Sequence, residues 1–295
     1  MIDSIKAVVF DMDGVLRIGN QLIMGAENIL VNLEKQQIQT MIVTNECRYT
    51  PDELREDLEE LGLQIPDSTI LYTAALSVRD FLRKKISKFP KRQFIIGIVG
   101  ELGLYKAINE LQQSYSNCHC IDTFQQLTDM LTQNNNSKQS IFLVIGTVNK
   151  IKINHLDKIL KWVKQGAKVI TTCMDACDPS SKGDFTLGMP NHMLHMVGYN
   201  IKTKPYSTGK PHPIFKDVII NSLSKQNDIQ ETDILFVGDT IYTDIRLAEE
   251  SGFKSCLVLS GNSNSDTPQS YINEPDFIVQ NVVELQTMFQ QNHNK

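Results

Sequence analysis

The sequence lacks the features that usually identify several large classes of protein. It has no excess of basic residues, since 29 Lys and Arg stand against 34 Asp and Glu, for a formal net charge of −5. Because nucleic-acid binding needs a basic surface, we expect no nucleic-acid partner. No apolar run approaches the length of a transmembrane helix, and we therefore expect no membrane association.

Signals for secretion and for zinc binding are also missing. The first residues contain no cationic segment followed by a long apolar one, so we expect no signal peptide. The six cysteines are scattered, and neither Cys118 and Cys120 nor Cys173 and Cys177 form the paired spacing of a zinc site. This use of cysteine is typical of reduced thiols in a cytoplasmic protein.

What the chain does contain is a regular alternation of apolar, strand-like runs and amphipathic, helix-like stretches. This alternation predicts an α/β fold with a mostly parallel sheet covered by helices. The predicted strands are 7–13, 40–45, 94–99, 141–146, 168–172, 234–238 and 256–260. The predicted helices include 27–35, 51–61, 156–165 and 213–223.

The middle of the chain has the pattern of a second, complete α/β unit. It has its own predicted strands with helices between them. We therefore predict a domain inserted into another domain, with the insert entering near residues 73–80 and leaving near residues 203–208. Ligands of such sheets bind at the carboxyl ends of the strands.

The first predicted strand ends in two carboxylates and a glycine, Asp11, Asp13 and Gly14. Side chains two apart on a strand share a face, so both carboxylates could point at one position beyond the strand. Two like charges placed together are costly unless a cation or a shared proton relieves them. The pattern indicates a metal site, although an Asp-rich turn that caps a following helix would give the same residues.

Three other strand ends carry polar groups of complementary kinds. Thr44 and Asn45 supply a hydroxyl and an amide, which are suited to binding an anionic oxygen. Lys210 stands just before a predicted helix, whose amino terminus favours negative charge. Asp239 follows the strand 234–238, and Asp244 is close behind it.

Together these groups favour phosphoryl transfer with Mg²⁺, which prefers oxygen ligands. Asp11 would attack phosphorus in line, and Asp13 would protonate the leaving oxygen and later take a proton from water. The candidates for binding the other phosphoryl oxygens are Thr44, Asn45 and Lys210.

The ordered set of motifs resembles that of the haloacid dehalogenase superfamily. The set is D-M-D-G at 11–14, T-N at 44–45, G-K-P at 209–211 and G-D-T-I-Y-T-D at 238–244. The spacing and the inserted middle resemble the NagD-like, p-nitrophenylphosphatase-like branch. Each motif alone is weak, but the four in this order are specific.

The resemblance implies a fold and a class of partner. It implies a Rossmann-like core formed by residues 1–76 and 205–295, and a smaller inserted α/β cap at 77–204 that selects the substrate. It implies a phosphatase acting on a small phosphorylated metabolite, and it makes a homodimer a reasonable expectation.

The resemblance also assigns roles at the site. Asp11 would be the nucleophile, and Asp13 the general acid and base, with its backbone carbonyl on Mg²⁺. Thr44 and Lys210 would hold the phosphoryl group. The metal-binding residues would be Asp11, Asp13, Asp239 and Asp244.

The chain departs from the family pattern near the expected position of the leaving group. Glu46 and Cys47 follow the T-N motif where relatives often have Asn or Asp and then Ser, and Cys173-Met174 replaces part of a T-N-P-D-like sequence. Glu46 and Asp175 are therefore candidates for substrate specificity, although Asp175 could equally cap a turn.

Two other functions fit the same groups. A phosphotransferase would pass the phosphoryl group from the same intermediate to an alcohol. A receiver-like regulatory phospho-acceptor also clusters Asp, Thr and Lys around Mg²⁺, but it is shorter and carries no large insert. A non-catalytic binding protein is disfavoured because the expected acids, Thr44 and Lys210 are all present.

Overall fold

The computed structural model describes residues 2–133, 138–175, 177–179, 185–197, 204–223, 229–263 and 274–293. Within these residues two parallel sheets and two short antiparallel hairpins form. None of the helices described there has the length and apolar character needed to cross a bilayer.

The strands are short, and most follow the predicted apolar runs. In chain order they are β1 (Ala7–Phe10), β2 (Arg17–Ile18), β3 (Gln21–Leu22), β4 (Gln39–Thr44), β5 (Ile70–Thr73), β6 (Gln93–Val99), β7 (Cys118–Ile121), β8 (Gln139–Ile145), β9 (Lys168–Thr171), β10 (Cys177–Pro179), β11 (Phe185–Leu187), β12 (Tyr206–Ser207), β13 (Ile234–Gly238), β14 (Lys254–Val258) and β15 (Phe277–Val279).

The helices connect and cover these strands. They are α1 (Ile29–Lys35), α2 (Pro51–Glu60), α3 (Ala74–Lys88), α4 (Leu102–Ser114), α5 (Phe124–Gln133), α6 (Ile153–Lys164), α7 (Met189–Val197), α8 (Pro213–Leu223), α9 (Arg246–Ser251) and α10 (Val282–His293). A π-helical turn, Ile241–Ile245, precedes α9.

The larger sheet has the strand order β15-β14-β13-β1-β4-β5, and all its strands are parallel. Its central strand β1 is buried on both faces. Val8 and Phe10 face the cluster that contains α1, α2 and α10, whereas Ala7 and Val9 face the cluster that contains α8 and α9. This two-sided cover explains why β1 is apolar at every position.

The smaller sheet has the order β12-β9-β8-β6-β7 and is also parallel. One face packs against α3 and α4, and the other against α5, α6 and α7, where Trp162 is fully buried. The chain leaves the larger sheet after β5 and returns after β12. The α/β fold with a Rossmann-like core and a smaller inserted α/β cap is thus confirmed.

Details of the predicted elements differ from the structure. The strand predicted at 7–13 ends at Phe10, so the expectation that Asp11 and Asp13 share a strand face is wrong. The strand predicted at 256–260 starts and ends two residues earlier, as Lys254–Val258. Near the predicted entry of the insert, the helix α3 begins at Ala74. Near its predicted exit, β12 pairs with β9 of the smaller sheet. The division of domains at 76/77 and 204/205 stays a prediction.

Candidate active site

Three neighbouring strands of the larger sheet end at one place. Since β13, β1 and β4 are adjacent and parallel, their carboxyl ends lie at the same edge. Asp239 follows β13, Asp11 follows β1, and Thr44 is the last residue of β4. The helix α1, which follows β1, and the helix α8, which precedes β13, cover opposite faces of the sheet. Parallel α/β sheets bind ligands at the strand ends where the connections change sides in this way.

Three buried carboxylates meet at this edge. Oxygen atoms of Asp11, Asp239 and Asp244 lie within 4.8 Å of one another. The π-helical turn brings Asp244 back to the strand end, where its Oδ2 accepts a hydrogen bond of 3.2 Å from the backbone N–H of Thr240. Three of the four predicted metal-binding residues are thus together.

Lys210 lies among these acids. Its Nζ is 2.6 Å from Asp11 Oδ1 and 2.7 Å from Asp244 Oδ1, and the residue is 4% exposed. Burial lowers the pKa of Lys210, but the charges of Asp11 and Asp244 outweigh it and raise the pKa above its ordinary value. Lys210 is therefore a fixed positive charge in the site.

One lysine does not compensate three acids. Burial raises the pKa of Asp11 well above its ordinary value, against the charge of Lys210. Burial and the charge of Asp244 raise the pKa of Asp239 to about 7. A bound divalent cation would relieve this cost, and an all-oxygen donor set suits Mg²⁺. The residues present therefore fit the predicted metal.

A loop that the sequence analysis missed holds Asp239. The backbone N–H of Asn262 donates to Asp239 Oδ2 at 2.6 Å, and Ser260 Oγ donates to the carbonyl of Gly14 at 2.7 Å. A Cβ at Gly14 or Gly261 would lie 2.2 or 2.0 Å from Asp239 Oδ2. The available signal was a Ser-Gly-Asn turn that directly follows another parallel strand.

Thr44 and Asn45 are neighbours in sequence but form different hydrogen bonds. Thr44 is buried, and its Oγ1 accepts a hydrogen bond of 3.0 Å from the backbone N–H of Glu46. The amide of Asn45 accepts from the backbone N–H of Lys210 at 2.9 Å and donates to Asp175 Oδ2 at 2.8 Å. Asn45 therefore joins the two predicted phosphate-binding segments to the cap, and its own contact with phosphate stays a prediction.

Asp13 lies apart from the carboxylate cluster. Its Oδ1 accepts a hydrogen bond of 3.0 Å from Arg17 Nε, and its carboxylate is not one of the three that converge. Burial raises the pKa of Asp13, although the charge of Arg17 opposes the shift. The role of its backbone carbonyl as a metal ligand stays a prediction.

Glu46 is hydrogen bonded within its own loop. Its Oε1 accepts from the backbone N–H groups of Cys47 and Arg48 at 2.8 and 2.7 Å, and the Arg48 guanidinium contacts both oxygens. Burial raises the pKa of Glu46, but the bonds and the charge of Arg48 outweigh it, so the pKa is lowered. Its predicted role in specificity stays a prediction.

A cavity of about 1030 Å³ connects the strand ends to the smaller domain. On the core side it is lined by Asp11, Asp13 and Lys210. On the cap side it is lined by Met174 and Asp175, among others. Burial raises the pKa of Asp175, against its hydrogen bond from Asn45. The cap therefore faces Asp11 and Lys210 across this cavity.

Two family models match parts of the chain. A model described as haloacid dehalogenase-like hydrolase matches residues 8–110, and a model described as HAD-hydrolase-like matches residues 207–285. The first match carries Asp11, the second carries Lys210 and Asp239, and together they leave out most of the cap.

Relatives match over nearly the full length. Dihydroxyacetone phosphatase of Corynebacterium glutamicum is 25% identical over 93% of this chain and 88% of its own. Ribonucleotide monophosphatase NagD of Escherichia coli is 26% identical over 96% of this chain and 98% of its own. The solved structure of NagD covers 95% of this chain and 98% of its own, with a TM-score of 0.73 and 25% identity. The 4-nitrophenylphosphatase of Thermotoga maritima shares the fold, with a TM-score of 0.76, 23% identity and coverage of 97% of this chain and 98% of its own.

The chain belongs to the haloacid dehalogenase-like hydrolases. Within that family it falls in the NagD-like branch, and it is a phosphatase, that is, a phosphoric monoester hydrolase.

Proposed function

We propose that this enzyme is a Mg²⁺-dependent phosphatase that hydrolyses a small phosphorylated metabolite through an aspartyl-phosphate on Asp11. The observation that carries the proposal is the placement of Asp11. It is buried at the centre of the strand ends, 2.6 Å from Lys210 and within 4.8 Å of the other two acids.

Asp11 is the nucleophile in this proposal. Its carboxylate oxygen forms a bond to phosphorus while the bond to the ester oxygen breaks. Lys210 and the hydroxyl of Thr44 stabilise the negative charge on the other phosphoryl oxygens. The metal would be held by Asp11, Asp239 and Asp244 with the backbone carbonyl of Asp13, and it would supply charge neutralisation and orientation.

Asp13 transfers the protons. It gives a proton to the departing alcohol oxygen and then takes one from the water that hydrolyses the aspartyl-phosphate. Its carboxyl lines the cavity without joining the buried acids. This position is suited to a group that must meet the leaving oxygen.

Residues 77–204 act in this proposal as the cap that selects the substrate. Met174 and Asp175 support this role because they line the cavity on its cap side. We also propose a cytoplasmic location, in keeping with five cysteines that are free thiols among the described residues. The homodimer stays a prediction of the resemblance.

Phosphate release with and without Mg²⁺ tests the proposal. The panel is p-nitrophenyl phosphate, dihydroxyacetone phosphate, glycerol phosphate, sugar phosphates, nucleoside monophosphates, pyridoxal phosphate and phosphoglycolate. Mg²⁺-dependent release, lost in Asp11→Asn, is the expected result. Stable phosphate on Asp11 without release would instead favour the receiver-like function, and transfer to an added alcohol would favour the phosphotransferase.

A further inference from the structure

The segment after Asp13 folds back on itself. The backbone N–H groups of Leu16 and Arg17 donate to the carbonyl of Met12 at 2.8 and 3.1 Å, and the N–H of Gly14 donates to the carbonyl of Arg17 at 2.7 Å. The hairpin of β2 and β3 starts at Arg17. This turn places the Arg17 side chain beside Asp13.

Arg17 joins two carboxylates that belong to different elements. Its Nε donates to Asp13 Oδ1 at 3.0 Å, and its Nη1 donates to Asp57 Oδ2 at 2.5 Å. The Arg17 side chain is 6% exposed, whereas that of Asp57, on α2, is 40% exposed. A buried guanidinium held at both ends of its planar fork has little rotational freedom.

We propose that Arg17 is a positioning residue for Asp13, and that Asp57 anchors Arg17. The inference rests on the proposed function, in which Asp13 is the acid and base. No other side-chain hydrogen bond to the Asp13 carboxylate is found in the part of the chain that the structure describes. With Oδ1 directed at Arg17, Oδ2 is the oxygen that carries the transferred proton.

Arg17 itself exchanges no proton in this scheme. The proton on Asp13 Oδ2 moves to the ester oxygen as the bond from that oxygen to phosphorus breaks. In the second step a water proton returns to Oδ2 as the water oxygen bonds to phosphorus and the bond from Asp11 breaks. Because general acid catalysis depends on geometry, a misdirected Asp13 would slow the first step most for poor leaving groups.

Leaving-group dependence tests the inference. The measurement is kcat/KM for p-nitrophenyl phosphate and for the alkyl phosphate that the wild type hydrolyses fastest. Nitrophenolate leaves without protonation, whereas an alkoxide needs it. In Arg17→Lys we expect kcat/KM to fall about 10- to 100-fold for the alkyl ester and less than about 3-fold for p-nitrophenyl phosphate.

Asp57→Asn is a second variant, which tests the same contact without a change at the buried Arg17. It removes the anchor at a partly exposed position, and we expect a loss of about 3- to 10-fold, confined to the alkyl ester. Glu56→Gln, exposed on the same helix, is the matched control and should leave both substrates unaffected.

The outcomes separate the inference from the function. Equal losses for both esters, or no loss for either, in an active and folded Arg17→Lys and Asp57→Asn would overturn the positioning role alone. If the wild type released phosphate from neither ester, the proposed function would fail and the inference with it.

Discussion

Two buried carboxylates on the same cavity, Asp239 and Glu46, have opposite pKa shifts. Asp239 is 1% exposed and its pKa is raised to about 7, whereas Glu46 is 9% exposed and its pKa is lowered. Since both are desolvated, burial alone does not decide whether a carboxylate stays charged.

The difference lies in what surrounds each group. Glu46 accepts two backbone N–H bonds and contacts the guanidinium of Arg48, which forms no ion pair with another carboxylate among the described residues. Asp239 accepts from Asn262 and Thr240, but it faces two further acids that share one lysine. A fully paired carboxylate stabilises a loop, whereas a group with excess negative charge is prepared to receive a cation.

The largest expected effect comes from the centre of the charged cluster. Asp11→Asn removes the nucleophile, so we expect kcat to fall at least about 10³-fold for every substrate. Circular dichroism should show an intact fold, because the amide is of the same size. Asp67→Asn, at an exposed position, serves as the control, and wild-type turnover by Asp11→Asn would exclude an aspartyl-phosphate.

The next largest effect is expected on Mg²⁺ binding, in which Asp239 and Glu46 should differ. Asp239→Asn should weaken Mg²⁺ binding about 10-fold or more, measured by calorimetric titration, because a charged ligand is lost. Glu46→Gln should leave the Mg²⁺ affinity within about 2-fold, because Glu46 is bonded within its own loop. An equal effect of both changes would contradict the distinction.

The pH dependence of metal binding follows from the pKa of Asp239. A protonated carboxyl does not bind Mg²⁺, and in the protein without metal the pKa of Asp239 is about 7. The dissociation constant should therefore rise as pH falls from 8 to 6, by up to about tenfold per pH unit below 7. Calorimetry with wild type and Asp239→Asn checks this, since the variant should lose much of the slope.

Glu46 should show its effect in stability. Its lowered pKa means that the stabilisation is present above the ordinary pKa of glutamate and is lost as pH falls through the lowered value. Glu46→Gln should lower Tm by roughly 5 °C at pH 7, and the difference should shrink on acidification. A difference that grows at acid pH would show that the pKa is not lowered.

The alternation of apolar runs predicted most of the fold. The long strands β4, β6, β8 and β13 have clear apolar runs because helices cover both faces of their sheets. The strands β5, β7, β12 and β15 were missed because two to four residues do not establish a period.

Strand ends also predicted much of the site. Asp11, Thr44 and Asp239 follow directly from the rule that ligands bind at the carboxyl ends of parallel strands. The pairing of Arg17 with Asp13 and the internal bonding of Glu46 depend on backbone turns of a few residues. Such turns are set by local hydrogen bonds that have no periodic signal in the sequence.

The segment in which the chain returns from the cap to the core limits where a cap from one relative could be joined to a core from another. Tyr206 and Ser207 pair with the cap strand β9, and Thr208 donates to the carbonyl of Thr171, while Lys210 already belongs to the charged cluster. A chimera joined between Thr208 and Lys210 would transfer the smaller sheet with all its strands and leave the lysine with its own acids. A join before Tyr206 would separate an edge strand from its sheet, so the usable crossover is Gly209.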